Sequence, residues 1–320
     1  EGCKNQCQDT AQHKKPPILA QRTQCFGGVI RIGIGDGVCV HAISPKDLYK
    51  IKNQTLKGIN KIFKDPKYKD SYGFYILKAN LNNAIDEIDY IERNEKDILT
   101  QVLCQVYQYI PKHIKINPDI ILYVGGVDGG FATFTKDVYI NYLKYIGNFN
   151  EFKKVLCHEF YHARQISMYK KLELILKMSY NNRPMYELLG RICEEGIACL
   201  IQQGLNFKAD DPVGTLTNRD IILRVEHFND LNNALYSIKN KSPNYSLIYN
   251  LNVYVIGYII CKTVYEYGDC FSLDEWTCNL NYEIIINKYM DDCKKEGLQT
   301  GFEEGVESWL NDIFKLKYAL

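Results

Sequence analysis

From about residue 150 onward the chain carries apolar side chains at three- and four-residue intervals, in runs near 150–169, 184–204, 217–239, 246–268, 280–297 and 303–317. That periodicity commits the second half of the molecule to helix and leaves little room for any large sheet. Helical patterning also covers about 45–63 and 79–109, the latter with Ile85, Ile88, Ile91, Ile98 and Leu103, closed by a turn at Pro111. The β signals are short. Val29–Val40 reads as a strand or hairpin broken at Gly35-Asp36-Gly37, and two apolar runs, Ile120–Val124 and Val138–Tyr142, flank the glycine-rich stretch Gly125–Phe131. The prediction is an α+β fold in which a small sheet has helices before it and a helical lobe after it. By range, residues 1–24 form a loose polar arm, 25–109 a strand and helical region, and 110–320 the main unit.

Charge narrows the function by exclusion. Lys and Arg number 39 against 38 Asp and Glu, a net charge of +1, so nothing global attracts the chain to nucleic acid or to an anionic membrane. The longest apolar stretch, Val253–Cys261, is far shorter than the roughly 18 residues a transmembrane segment needs. The chain has 12 cysteines but no Cys-x-x-Cys pair, which argues against a structural cysteine–zinc site. Cys104, Cys157, Cys193, Cys199 and Cys261 fall inside runs that read as buried helix, where a free thiol acts as a small apolar group. A reducing, cytoplasmic setting is therefore favoured; no signal peptide stands in the chain, which starts at Glu1 without a methionine, as a processed or truncated form would. The glycines at 33, 35 and 37 lack the following helix of a nucleotide loop.

Local chemistry is concentrated at His158-Glu159-Phe160-Tyr161-His162, inside a helical run bounded by Val155-Leu156-Cys157 and by Ala163 and Ile166. At about 100° per residue the two histidines lie only about 40° apart and one turn apart along the axis, so both imidazoles can reach one tetrahedral ion. Glu159 then flanks the ion without having to bind it, which places a carboxylate beside a metal-activated water. The bland alternative is a core helix with two hydrogen-bonded histidines and no metal.

Two His ligands need a third, and Arg191–Leu200 offers the adjacent carboxylates Glu194 and Glu195. Helical geometry separates them by about 100°, so only one should face the site. Glu195 lies on the stripe of Leu188, Ile192, Ala198 and Cys199, where a carboxylate needs a cation or hydrogen bonds to compensate it, whereas Glu194 shares its side with Glu187 and Arg191. Glu195 is the better ligand, and small Gly196 and Ala198 would let its helix lie close to the motif helix. The competing role for Glu195 is a buried partner of Arg164 or Arg191. A di-iron site would need a second Glu-x-x-His, and none of the other histidines supplies one.

With these residues in view the sequence resembles the gluzincin-type zinc metallopeptidases, whose His-Glu-x-x-His is followed on a later helix by Glu in a Glu-Gly-x-Ala-like pattern, here Glu195-Gly196-Ile197-Ala198. It looks closest to bacterial families of uncharacterised zinc-dependent peptidases, over about residues 38–320, with Tyr123–Gly126, Val138–Tyr142 and Tyr254-Val255-Ile256-Gly257-Tyr258 as further points of likeness. The first 25 residues have no counterpart. The resemblance implies a small sheet beside the motif helix, and one catalytic Zn2+ on His158, His162 and Glu195. It also implies Glu159 as general base and a peptide or protein substrate. The alternatives left open are a zinc hydrolase of a non-peptide amide and a non-catalytic scaffold that keeps the fold.

A second electrophile is needed for the developing oxyanion. Tyr254 is the preferred candidate, with Tyr258 and His227 behind it; Tyr161 reads as packing, Cys157 as a core thiol, and Arg164 as a salt-bridge partner, for instance of Glu194. Val138–Tyr142 is either the edge strand that pairs with an extended peptide or an interior strand. The stretch 125–131 either lines the cleft or is a plain turn.

Overall fold

The computed structural model describes residues 30–32, 76, 79–124, 129–133, 137–178, 183–268 and 271–318. The expected arm 1–24, the expected helix 45–63 and most of the Val29–Val40 segment lie outside them. In chain order the elements are β1 (Ile30–Ile32), α1 (Leu81–Arg93), α2 (Glu95–Val106), β2 (Ile120–Tyr123), β3 (Gly130–Ala132), β4 (Val138–Asn141), α3 (Phe149–His162) and α4 (Met168–Lys177). They continue with α5 (Arg191–Gln203), α6 (Asn218–Ile222), α7 (Arg224–Lys239), α8 (Tyr245–Asn250), α9 (Val253–Tyr267), α10 (Phe271–Asn279), α11 (Tyr282–Lys295) and α12 (Glu304–Tyr318). The fold is α+β and helix-rich, as the periodicity indicates.

The sheet has the order β1-β2-β4-β3, with β2 and β4 parallel and the outer strands antiparallel to their neighbours. Val138–Asn141 is thus interior and buried throughout, which removes the peptide-pairing edge role from it. The edge is β3. Its glycine-rich sequence reads as loop, yet Phe131 stacks on Tyr139 directly across from it, ring centroids 5.0 Å apart, and that cross-strand pair supplies the packing glycines lack. Alternation along the strands sends Ile120, Leu122, Val138 and Ile140 into the main core and Ile121 and Tyr139 to the opposite face.

The helical runs are right in place but shorter than periodicity suggests. The run 79–109 divides at Asn94, whose side-chain amide donates to the Tyr90 carbonyl and competes with the helix ladder. The run 150–169 stops at His162, and the amphipathic α4 follows as a separate helix. Run 184–204 contains a π-helical turn over Tyr186–Gly190 before α5. Run 217–239 divides at Leu223, and run 246–268 at extended Leu251 with Asn252 capping α9. One contiguous core extends from Ile91 to Phe314.

At its centre α5 crosses α9 where Gly196 meets Gly257, so closely that a Cβ on either residue would collide with the other helix's backbone. The contact expected of Gly196 was with the motif helix; the helix it admits is α9.

Candidate metal centre

The motif helix α3 starts at Asn148, whose side chain accepts from the Glu151 amide, and is buried continuously from Val155 to Tyr161. It ends because Arg164 folds back and donates Nη1 to the Tyr161 carbonyl at 3.0 Å, satisfying an orphan acceptor of the last turn. His158 and His162 consequently face α5 from one side of α3. Their Nε2 atoms are 3.1 Å apart, and Glu195 Oε2 lies 3.5 Å from His158 Nε2 and 3.3 Å from His162 Nε2. Three ligands around a tetrahedral ion at about 2.0–2.1 Å are separated by about 3.3 Å from one another. The donor set therefore fits a small divalent cation without rearrangement, and His158, His162 and Glu195 form the group of metal-binding type found among the described residues.

Electrostatics agree with that grouping. Burial raises the Glu195 carboxyl, but the facing His162 charge and hydrogen bonds from both imidazoles outweigh it and hold the group down at about 2. His162 is opposed by burial and raised overall by Glu195 and Glu194. These are the signs of a concentrated anionic pocket around imidazole nitrogens, the environment a cation neutralises.

Glu159 is 6% exposed, and burial pushes its carboxyl up, only partly countered by His158 and His162 and by a backbone hydrogen bond from Ala132. Strand β3 creates this seat. Gly129 and Thr133 bond backbone groups of the β4 side, so alternation turns those of Gly130 and Ala132 off the open edge, toward α3. A Cβ at Gly130 would stand 3.3 Å from Glu159 Cγ and 2.8 Å from Ile140 Cδ1, so glycine leaves the room the carboxylate occupies.

Arg164 pairs with Glu194, not Glu195, through Nη1–Oε1 and Nη2–Oε2 contacts of 2.7 Å each. The reading that only one of the two glutamates meets the site is incomplete. Glu195 faces the Nε2 atoms, while Glu194 reaches the far side of the same ring, its Oε1 2.9 Å from His162 Nδ1. The Arg164–Glu194 pair agrees with the sequence reading, but the contact of Glu194 with His162 Nδ1 has no local signal, since it depends on where α3 and α5 meet.

Tyr254 lies on the first turn of α9, and the Gly196–Gly257 contact three residues further on brings that turn against the site. Its ring centroid is 6.4 Å from that of His158, and its hydroxyl is raised chiefly by the Glu195 charge and then by burial. The other electrophile candidates are engaged elsewhere. Tyr258 donates to the Gly204 carbonyl at 2.9 Å, and His227 faces Asp220 at 3.5 Å. Tyr161 packs beneath the Arg164 guanidinium, 4.0 Å from its ring, and burial pushes the Cys157 thiol up to about 12, as befits a core residue.

Among the described residues no helix is long and apolar enough to cross a membrane. Among curated proteins and among solved structures nothing matches the chain. A family profile with the description "Putative zinc dependent peptidase (DUF5700)" matches residues 42–297. That span covers most of the chain, α3, His158, His162, Glu195 and the Tyr254 turn included, and the protein belongs to the family that this profile describes.

Proposed function

We propose that the protein hydrolyses peptide bonds with a single Zn2+ held by His158, His162 and Glu195, with Glu159 as general base and Tyr254 as the second electrophile. The observation that carries this reading is the meeting of two Nε2 atoms and one carboxylate oxygen at mutual distances of 3.1–3.5 Å beside a second, buried carboxylate, that of Glu159. A zinc ion bound there supplies a Lewis acid that polarises the scissile carbonyl and lowers the pKa of a water in its open position towards about 7.

The chain's own groups do the rest. Glu159 takes the proton of the attacking water and returns it to the leaving amine, and its raised affinity for a proton suits it to both halves of that transfer. Ala132 N–H keeps the carboxylate oriented. The Tyr254 hydroxyl, protonated at neutral pH, donates to the carbonyl oxygen as charge develops on it. An extended substrate pairs with the open edge of β3 through the outward backbone groups of Gly130, giving affinity through main-chain hydrogen bonds.

The test is Glu159→Gln assayed on a peptide library with and without chelator. Hydrolysis should disappear in the variant and in the chelated wild type while the variant still binds zinc. Activity that survives either treatment contradicts the mechanism, and cleavage confined to non-peptide amides replaces peptidase by amidase.

A further inference from the structure

His162 is bonded on both of its nitrogens, and the second partner has no role in the chemistry above. Its Nδ1 lies 2.9 Å from Glu194 Oε1. Glu194 is itself held at both oxygens: Oε1 also accepts from Arg164 Nη1, and Oε2 accepts from Arg164 Nη2 and from Trp276 Nε1, each at 2.7 Å. Arg164 in turn donates Nε to the Thr277 carbonyl at 3.1 Å and Nη1 to the Tyr161 carbonyl, and it lies over the Tyr161 ring. Trp276 packs against Gly190, where a Cβ would meet its ring at 2.8 Å. The carboxylate is fixed by three elements: α5 that bears it, the end of α3, and α10.

We propose that Glu194 is a positioning residue for the metal centre, and that Arg164 and Trp276 form the clamp that sets its carboxylate behind His162. The inference rests on the proposed zinc site. Neutral imidazole carries one proton, and a carboxylate at Nδ1 keeps it there, leaving the Nε2 lone pair for the ion and raising its basicity. Glu194 cannot serve as a ligand itself, because it addresses the opposite nitrogen and its oxygens are occupied by four donors. The support is one-sided. His158 Nδ1 is buried with no hydrogen-bond partner among the described residues, so of the two imidazoles only His162 has a carboxylate behind it. An ion pair of purely structural value would not need to end on a ligand ring; this one does.

The test compares zinc affinity, measured by competition with a chromophoric chelator, in wild type, Glu194→Gln and Trp276→Phe. Glu194→Gln keeps the shape of the side chain and removes its charge, and should weaken zinc by about 10–100-fold. Trp276→Phe keeps the carboxylate and the Arg164 pair but removes one of the two donors on Oε2, and should weaken zinc by less. Nitrogen NMR of the zinc-loaded wild type reads the same claim without a variant: His162 should hold its proton on Nδ1 and its metal on Nε2. Wild-type affinity in both variants, or a His162 that coordinates through Nδ1, overturns the proposal while leaving the zinc site intact. A wild type that binds no zinc at all overturns the peptidase reading and this inference together.

Discussion

Tyr254 is the site residue whose role depends most on a single functional group. If its hydroxyl meets the oxyanion, Tyr254→Phe should lower kcat by about 100–1,000-fold with little change in KM and with zinc retained, as steady-state kinetics and metal analysis would register. An unchanged kcat makes the ring a packing residue. Glu194 yields a pH prediction whose sign follows from its environment. Burial raises it, but the Arg164 charge and hydrogen bonds hold it well below the ordinary carboxylate range. A carboxyl depressed on folding contributes stability above its unfolded pKa of about 4.3 and loses that contribution as pH falls through the folded value. The urea midpoints of wild type and Glu194→Gln should therefore differ at neutral pH and draw together as the pH drops below about 4.3. Thiols offer a third check. Cys157, Cys193, Cys199 and Cys261 are buried with their pKa values raised by desolvation, whereas Cys104, expected in a buried run, is on the exposed face of α2. Alkylation mapped by mass spectrometry should label Cys104 in the native protein and the other four only after unfolding. The two histidines, Glu159 and Glu195 were all legible at this scale, since i, i+4 spacing and an apolar stripe are local properties. Glu194 was not, because its contact with His162 Nδ1 depends on where two helices cross.

At the scale of elements, the Gly196–Gly257 crossing of α5 and α9 is also what sets Tyr254 beside His158. Replacing glycine by alanine within a helix ordinarily stabilises it by about 1 kcal/mol. At Gly196 or Gly257 the added methyl would strike the opposite backbone, so Gly196→Ala should lower stability by roughly 1–3 kcal/mol, read as a fall in Tm. A stabilised Gly196→Ala would show that α5 and α9 do not touch there. The same crossing marks the limit of sequence reading. Helical segments could be located from periodicity, but their breaks at Asn94, Leu223 and Leu251 were invisible to it; the Asn94 amide marks the first and the Asn252 cap the last. Strand β3 was missed for the converse reason: three residues with a glycine carry no propensity, and only Tyr139 across the sheet makes Phe131 a strand residue.

For the whole molecule, an α+β body with the motif helix between sheet and lobe follows from the order of helical and β signals along the chain, and the structure has that arrangement. The order of strands does not follow, since nothing local tells an interior β4 from an edge. Binding a metal only in the folded state should link the centre to global stability: zinc at 100 times its Kd adds about 2.7 kcal/mol, so the Tm should rise with zinc and fall on chelation. The most direct test of the account is the zinc content of purified wild type beside Glu195→Ala and His158→Ala, measured by elemental mass spectrometry after dialysis against metal-free buffer. Wild type should carry about one zinc per chain, and either variant little. A wild type without zinc, or variants that retain it in full, would contradict the claim that these three side chains hold the ion.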